Sequence, residues 1–178
     1  MYRFFFAAPP ATAAKGAVVM EVGTGRVLYE KNPHEKMPMA STTKIMTAIL
    51  AIEKGNLNDI VTVSDRAYGA EGSSIYLSKG EKITLENLLY GLMLRSGNDS
   101  AVAIAEHIGG TEEKFVKLMN QKAEEIGAKN THFMNPHGLH HNDHYTTAYD
   151  LALISAYAMK DPTFRKIVST KYKKIPWE

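Results

Sequence analysis

A serine and a lysine placed three residues apart, in Ser41-Thr42-Thr43-Lys44, are the first candidates for chemistry in this sequence. On a helix, residues at this spacing share one face with about 5–6 Å between their Cβ atoms, so the Lys44 amine can reach the Ser41 hydroxyl. A hydroxyl needs an adjacent base to act as a nucleophile near neutral pH. A lysine can be that base where burial disfavours its ammonium form. The pair therefore predicts a serine nucleophile activated by an uncharged amine.

The spacing alone has little specificity. It recurs in Thr111–Lys114 and Thr170–Lys173, and a serine that opens a helix beside a solvated lysine is the simpler interpretation of such a pattern. A second motif, Ser96-Gly97-Asn98, is predicted to lie in a loop between two apolar helices, where its hydroxyl and amide can face a shared cleft. Turn chemistry explains these three residues equally well by themselves. Only the two motifs together indicate an acyl-transfer site.

The first motif opens a predicted helix over Ser41 to Lys54. Its apolar stripe recurs at the i, i+3, i+4, i+7 spacing, and Gly55 is placed to end it. The stripe consists of Ile45, Ala48, Ile49 and Ile52. Upstream, Ala17 to Val22 and Arg26 to Glu30 are two runs rich in β-branched residues around a Gly-Thr-Gly turn, which predicts a β-hairpin.

Helices dominate the remainder of the predicted structure. Four more are expected, over residues 84–95, 99–108, 111–126 and 147–158, each with an apolar face between capping residues and glycines. Asp161-Pro162 is expected to end the last helix, and residues 56–82 to form loops with short elements. A hairpin followed by helices predicts the α+β class. Because an isolated hairpin has two unpaired edges, further strands are expected to join it.

Two additional segments extend the similarity of this chain to one known family. They are Asn135-Pro136-His137-Gly138-Leu139 and residues 144–150. With residues 40–47 and 94–101 around the two motifs, the chain resembles the low-molecular-mass penicillin-binding proteins, D-alanyl-D-alanine carboxypeptidases whose signature contains Ser-x-x-Lys and Ser-x-Asn. The resemblance runs from about Gly16 to the C-terminus. It implies the fold shared by β-lactamases and penicillin-binding transpeptidases, with residues 16–178 as the N-terminal and helical part of the catalytic domain.

The resemblance also implies a role for each motif residue. Ser41 would attack the peptide bond between the two terminal D-alanines of a peptidoglycan stem peptide, and Lys44 would accept its proton. Ser96 would relay a proton to the leaving amine, and Asn98 would bind the substrate's peptide and orient Lys44. Water would then hydrolyse the acyl-enzyme. β-Lactam antibiotics, which resemble the substrate, would act as covalent inhibitors.

One part of the family signature is missing from this sequence. The family has a third motif, Lys-Thr-Gly or a close variant, on a later strand, and no such triplet occurs between Ser96 and Glu178. We expect that strand and its neighbours to lie beyond Glu178 or on a second chain or segment. The resemblance implies that this strand supplies one of the two backbone donors of the oxyanion hole, and loss of one such donor typically costs on the order of 10²–10³ in rate. Residues 1–178 alone are therefore expected to be weakly active or inactive.

Composition narrows the other possibilities. The 178 residues suit one domain, the net charge of +2 with scattered basic residues does not indicate a nucleic-acid partner, and the absence of cysteine excludes disulfides and thiolate sites. No cofactor is expected. Residues 1–15 are predicted to be an irregular lead-in or the remnant of an export signal. The resemblance implies an extracytoplasmic protein, secreted or peripherally associated with the membrane.

Three alternatives stay open at this stage. A serine β-lactamase shares both motifs, although class A enzymes also need a deacylating glutamate, and residues 132–135 offer none. A non-catalytic protein that binds β-lactams or peptidoglycan would retain Ser41 for acylation without completing the cycle. A metal-dependent hydrolase would use the polar cluster near the C-terminal half, although its spacing matches no helical zinc motif. That cluster consists of His137, His140, His141, Asp143 and His144.

Overall fold

The structure is a computed structural model that describes residues 11–176. Within that range the chain forms four strands and seven α-helices, numbered here in chain order. The strands are β1 (Ala17–Met20), β2 (Val27–Lys31), β3 (Ile60–Thr62) and β4 (Lys82–Thr84). The helices are α1 (Lys44–Lys54), α2 (Asp65–Tyr68), α3 (Leu85–Arg95), α4 (Asn98–Gly109), α5 (Glu112–Ile126), α6 (Ala148–Ala158) and α7 (Pro162–Val168). This content confirms the predicted α+β class.

The predicted N-terminal hairpin is confirmed. Strands β1 and β2 pair antiparallel, with Ala17 opposite Lys31 and a register shift between Val19 and Met20. The hairpin packs against α6, which therefore covers part of one face. No other strand among residues 11–176 pairs with it, so both of its edges are unpaired within the described part of the chain.

Helix α4 lies at the centre of the core. It contacts α1, α2, α3 and α5, and residues 101–105 are all buried. A helix that is apolar on every side is stable only when neighbours surround it. Because α4 is central, its N-terminal residues Asn98 and Asp99 are also buried, at 5% and 1% exposure. The second sequence motif is thereby placed inside the protein and against α1.

Hydroxyl and carboxylate caps determine where the later helices begin. The side chains of Thr84, Thr111 and Thr147 each accept a hydrogen bond from the backbone N–H three residues later, as their positions in the sequence predict. Such caps contribute about 0.5–2 kcal/mol each. The expectation for Asp161-Pro162 was incomplete, because Asp161 also caps a further helix, α7, with Pro162 in its first turn.

Three local expectations were wrong in detail. Residues 40–43 form one turn of 3-10 helix, so α1 begins at Lys44 and not at Ser41. Asn98, expected in a loop, is the first residue of α4. The 56–82 region contains an antiparallel pair, β3 and β4, that its sequence did not reveal. Each of these strands has three residues and one buried side chain, too short for an alternating pattern to stand out.

Residues 11–15 form neither helix nor strand, and residues 1–10 of the predicted lead-in lie outside the described range. The division of the chain between residues 15 and 16 therefore stays a prediction. The helices found between residues 11 and 176 include none whose length and apolar character would let it cross a lipid bilayer.

Candidate active site

Four side chains meet where α1 and α4 begin. Ser41 lies in the 3-10 turn before α1, Lys44 begins α1, Ser96 follows α3, and Asn98 begins α4. The Ser96 hydroxyl donates a hydrogen bond to Ser41 Oγ at 3.0 Å. Lys44 Nζ lies 3.2 Å from Ser41 Oγ and 2.7 Å from Asn98 Oδ1. The structure thus brings together all four residues that the sequence singled out.

The Lys44 amine has a third oxygen neighbour, the backbone carbonyl of His137, at 2.7 Å from Nζ. This carbonyl and Asn98 Oδ1 can only accept hydrogen bonds. A neutral amine has two N–H groups, which these two oxygens occupy, so the nitrogen lone pair is left to face the Ser41 hydroxyl. The geometry therefore suits an uncharged Lys44 that accepts the proton of Ser41.

Burial favours that uncharged form. Lys44 is 2% exposed, and burial lowers the pKa of its amine to about 8, although the negative charge of Asp99 raises it in part. With a pKa of about 8, roughly a tenth of the amine is neutral at pH 7, compared with less than about one part in a thousand for a lysine in water. Ser41 itself is exposed. The candidate nucleophile is open to solvent while its candidate base is not.

Two residues beside the hydroxyls have left-handed backbone conformations. Ala40, which precedes Ser41, has φ +47°, and Ser96 has φ +58°. Residues other than glycine adopt this conformation at a cost of about 1–2 kcal/mol each. At Ser96 it ends α3 and turns the chain into α4 within two residues. Backbone strain therefore accompanies both hydroxyls, and the other non-glycine residues with positive φ in the described range are Asn32 and Tyr76.

The segment that connects α5 and α6, residues 127–147, crosses the turn that carries Ser41. At the crossing, Gly138 has φ +96°, and a Cβ atom there would lie 1.9 Å from the Ala40 carbonyl oxygen. Only glycine permits so close an approach in this conformation. Thr47 of α1 also donates a hydrogen bond to the Pro136 carbonyl at 2.6 Å. These contacts bring the carbonyl of His137 to Lys44.

His144 links the segment 127–147 to the 3-10 turn at residues 40–43 by hydrogen bonds. Its Nδ1 accepts a hydrogen bond from the Met134 N–H at 2.9 Å, and its Nε2 lies 2.7 Å from Thr43 Oγ1. Because a backbone N–H can only donate, Nδ1 carries no proton and Nε2 does, so the ring is neutral. Burial, with smaller contributions from neighbouring charges, lowers the pKa of both His144 and His137 to about 4. Both rings are uncharged at neutral pH.

The histidine-rich stretch, residues 137–144, contains few side chains that are available as metal ligands. His144 uses both ring nitrogens in protein hydrogen bonds, and His140, His141 and Asp143 are exposed. Across residues 11–176, no three histidine or carboxylate side chains lie close enough together to hold a metal. The metal-dependent alternative therefore lacks a ligand set in the described part of the chain.

Several contacts of the site were not foreseen from the sequence. The backbone carbonyl of Glu71 accepts a hydrogen bond from Asn98 Nδ2 at 2.6 Å, and Gly72 packs against the same amide. The His137 carbonyl and the Asp99 carboxylate were not predicted to take part either. Backbone carbonyls have no side-chain signature, so only the glycines at 72 and 138 signal these close approaches in the sequence.

The comparisons with known proteins agree with this architecture. The fold is that of the penicillin-binding serine peptidases: penicillin binding protein 6B from Escherichia coli matches with a TM-score of 0.88 at 34% identity, over 94% of this chain and 56% of that one. A family model described as D-alanyl-D-alanine carboxypeptidase, peptidase family S11, matches residues 4–178. The chain belongs to this family.

Individual relatives share the fold but are longer. The D-alanyl-D-alanine carboxypeptidase DacF of Bacillus subtilis is 46% identical over 165 residues, which cover 90% of this chain and 42% of that protein. The crystal structure of a D-alanyl-D-alanine carboxypeptidase from Mycobacterium tuberculosis matches with a TM-score of 0.92 at 32% identity, over 97% of this chain and 66% of that one. The chain spans less than half the length of the Bacillus relative.

Proposed function

We propose that this protein is a serine-type D-alanyl-D-alanine carboxypeptidase that acts on peptidoglycan stem peptides through an acyl-enzyme on Ser41. The observation that carries the proposal is the environment of the Lys44 amine. Two acceptor-only oxygens occupy its N–H groups, and its remaining position faces Ser41 Oγ at 3.2 Å. Membership of the carboxypeptidase family supports the choice of reaction.

In the acylation step, Ser41 Oγ attacks the carbonyl carbon of the terminal D-Ala-D-Ala peptide bond while its proton moves to Lys44 Nζ. The C–N bond then breaks, and the leaving amine takes up a proton that Lys44 supplies through the Ser96 hydroxyl, which is 3.0 Å from Ser41 Oγ. The products are free D-alanine and an ester on Ser41. Hydrolysis of this ester by water releases the shortened peptide and restores the Ser41 hydroxyl.

Asn98 is proposed to hold the base and to contact the substrate. Its Oδ1 accepts from Lys44 and its Nδ2 donates to the Glu71 carbonyl, which fixes the orientation of the amide group. β-Lactams place a strained amide at the same position and acylate the same hydroxyl. Since peptidoglycan lies outside the cytoplasm, the protein is proposed to act there, secreted or peripherally associated with the membrane.

Covalent labelling with a fluorescent penicillin tests the nucleophile. The unmutated chain is expected to form an adduct that survives denaturation, and Ser41→Ala is expected to abolish it. Ser169→Ala, which removes an exposed hydroxyl at the end of α7, is the matched control and should label normally. An unmutated chain that fails to label, or a Ser41→Ala variant that labels fully, would contradict the proposal.

The lifetime of the adduct separates the carboxypeptidase from the β-lactamase alternative. A carboxypeptidase is expected to hydrolyse its penicilloyl ester slowly, because residues 132–135 offer no glutamate of the kind with which class A β-lactamases activate the deacylating water. Rapid release of hydrolysed penicillin would favour the β-lactamase. Release of D-alanine from a stem peptide, measured in parallel, tests the expectation that residues 1–178 turn over weakly.

A further inference from the structure

The carboxylate of Asp99 is one of the most completely buried charges of the described chain, at 1% residue exposure. It accepts hydrogen bonds from Ser74 Oγ (2.6 Å), the N–H groups of Ile75 (3.1 and 3.2 Å) and Leu77 (3.2 Å), and the N–H of Ser100 (2.8 Å). A buried carboxylate is costly unless hydrogen bonds of this kind compensate for its lost hydration. Asp99 therefore joins the loop 71–77 to the first turn of α4.

The preceding residue, Asn98, is attached to the same loop. Its backbone N–H donates to the Ser73 carbonyl at 2.7 Å, and its Nδ2 donates to the Glu71 carbonyl at 2.6 Å. Because that carbonyl can only accept, the amide nitrogen must face the loop and Oδ1 must face Lys44. The orientation of Asn98 at the base thus depends on where the loop 71–77 is held.

Asp99 also acts on Lys44 through its charge. The titratable groups near the Lys44 amine are Asp99 of α4 and His137 of the segment 127–147, and Glu112 of α5 lies 4.0 Å from the ring of His137. His137 is uncharged at neutral pH because burial lowers its pKa to about 4, and burial raises the pKa of Glu112. The negative charge of Asp99 opposes the effect of burial and raises the pKa of Lys44.

We propose that Asp99 is a positioning residue for the acyl-transfer site: its hydrogen bonds hold the loop 71–77, and this loop in turn holds Asn98 so that its Oδ1 faces Lys44. The inference rests on the proposed function, in which Lys44 takes the proton of Ser41. Asp99 makes no hydrogen bond with Ser41 or with the Lys44 amine. It acts through the loop 71–77, which holds Asn98, and its negative charge acts on Lys44 without direct contact.

Two variants separate the positioning role from the charge. Asp99→Asn keeps the size of the side chain and removes its charge, whereas Ser74→Ala removes one hydrogen bond to the carboxylate and leaves the charge in place. The titration of Lys44, followed by NMR of 13C-labelled lysine, is expected to move to lower pH by roughly a unit in Asp99→Asn, since an opposite charge nearby favours the ammonium form. In Ser74→Ala the midpoint of the Lys44 titration should be unchanged.

Amide exchange and labelling complete the test. Both variants are expected to speed hydrogen exchange at the N–H groups of Ile75 and Leu77 and to slow penicillin labelling severalfold.

A Ser74→Ala variant whose loop exchanges faster but which labels at the normal rate would overturn the positioning role, even if Asp99→Asn fails to fold. An unchanged Lys44 midpoint in folded Asp99→Asn would overturn the electrostatic role. Neither NMR measurement needs turnover, so failure of the proposed function would be seen separately, as absent labelling of the unmutated chain.

Discussion

Ser96 combines a strained backbone with a hydroxyl in contact with Ser41. Its φ of +58° is a conformation that glycine adopts freely and serine does not. A glycine at position 96 would adopt the same conformation without this cost. A serine occupies this position although its left-handed backbone lowers the stability of the protein, which agrees with a role for its hydroxyl in proton transfer.

Ser96→Gly and Ser96→Ala are expected to have similar labelling rates and different stabilities. Both remove the hydroxyl, so penicillin labelling should fall by about 10²–10⁴, the usual contribution of a group that transfers protons. Only the glycine relieves the backbone, so it should be more stable than the alanine variant by about 1 kcal/mol. Urea unfolding of the two variants measures this difference. Equal stabilities would show that the left-handed conformation is not strained.

At the residue scale, the sequence allows the side chains of the site to be predicted but not its backbone groups. Ser41 and Lys44 can be predicted as a pair because a hydroxyl and an amine at helical spacing can interact before any fold is known. The roles of Ser96 and Asn98 are implied by the resemblance to the family. The His137 carbonyl, which completes the environment of Lys44, could not be recognised in this way. Every residue has such a carbonyl, and only the fold determines which one approaches the amine.

At the scale of elements, the segment 127–147 contributes directly to the site although it has no regular secondary structure. It contains no helix or strand, yet it supplies the His137 carbonyl and crosses the Ser41 turn at Gly138. Two antiparallel bridges, Met37 with Thr146 and His132 with Tyr145, hold its ends. The segment is therefore ordered by its contacts with the turn and with α1.

Gly138→Ala tests this crossing. The added Cβ would meet the Ala40 carbonyl at 1.9 Å in a conformation that alanine disfavours, so we expect a loss of about 2 kcal/mol or more and slower penicillin labelling. Gly127→Ala is the matched control, since Gly127 has φ +90° and a Cβ added there would have nothing within 4 Å. That variant should lose only about 1 kcal/mol and label normally. Equal losses in the two variants would contradict the importance of the crossing.

The sequence predicted the long elements better than the short ones. Helices α3 and α5 have repeated apolar faces and threonine caps, and both agree closely with expectation. Strands β3 and β4 are held by pairing with each other across 19 intervening residues, and three-residue strands carry no periodic signal. The sequence does not distinguish the 3-10 turn at 40–43 from α-helix, because the contact of this turn with Gly138 is distant along the chain.

For the whole molecule, the two neutral histidines, the buried His144 and the partly buried His137, make stability depend on pH. Above pH 6.5, the ordinary pKa of histidine, both the folded and unfolded forms are neutral and no stability is lost. Between pH 6.5 and 4 the unfolded chain binds protons that folded His137 and His144 do not, so stability falls. From a pKa of about 4, each histidine accounts for at most about 3 kcal/mol by the lower end of that range.

His144→Gln is expected to reduce this acid sensitivity by about half, because His137 still titrates. Unfolding free energies measured by urea titration at several pH values between 7 and 4 test the expectation. His141→Gln, which replaces an exposed histidine of the same segment, should leave the pH dependence unchanged. A His144→Gln variant as sensitive to acid as the unmutated chain would show that His144 is not held neutral.

The oxygens that orient the Lys44 amine come from far along the chain, 54 residues away at Asn98 and 93 at His137. Contacts of such separation form late, after the local helices. During synthesis, Ser41 and Lys44 leave the ribosome together, long before either acceptor exists. The nascent chain therefore cannot orient the Lys44 amine towards Ser41 as the folded protein does until residues near 138 have emerged and docked.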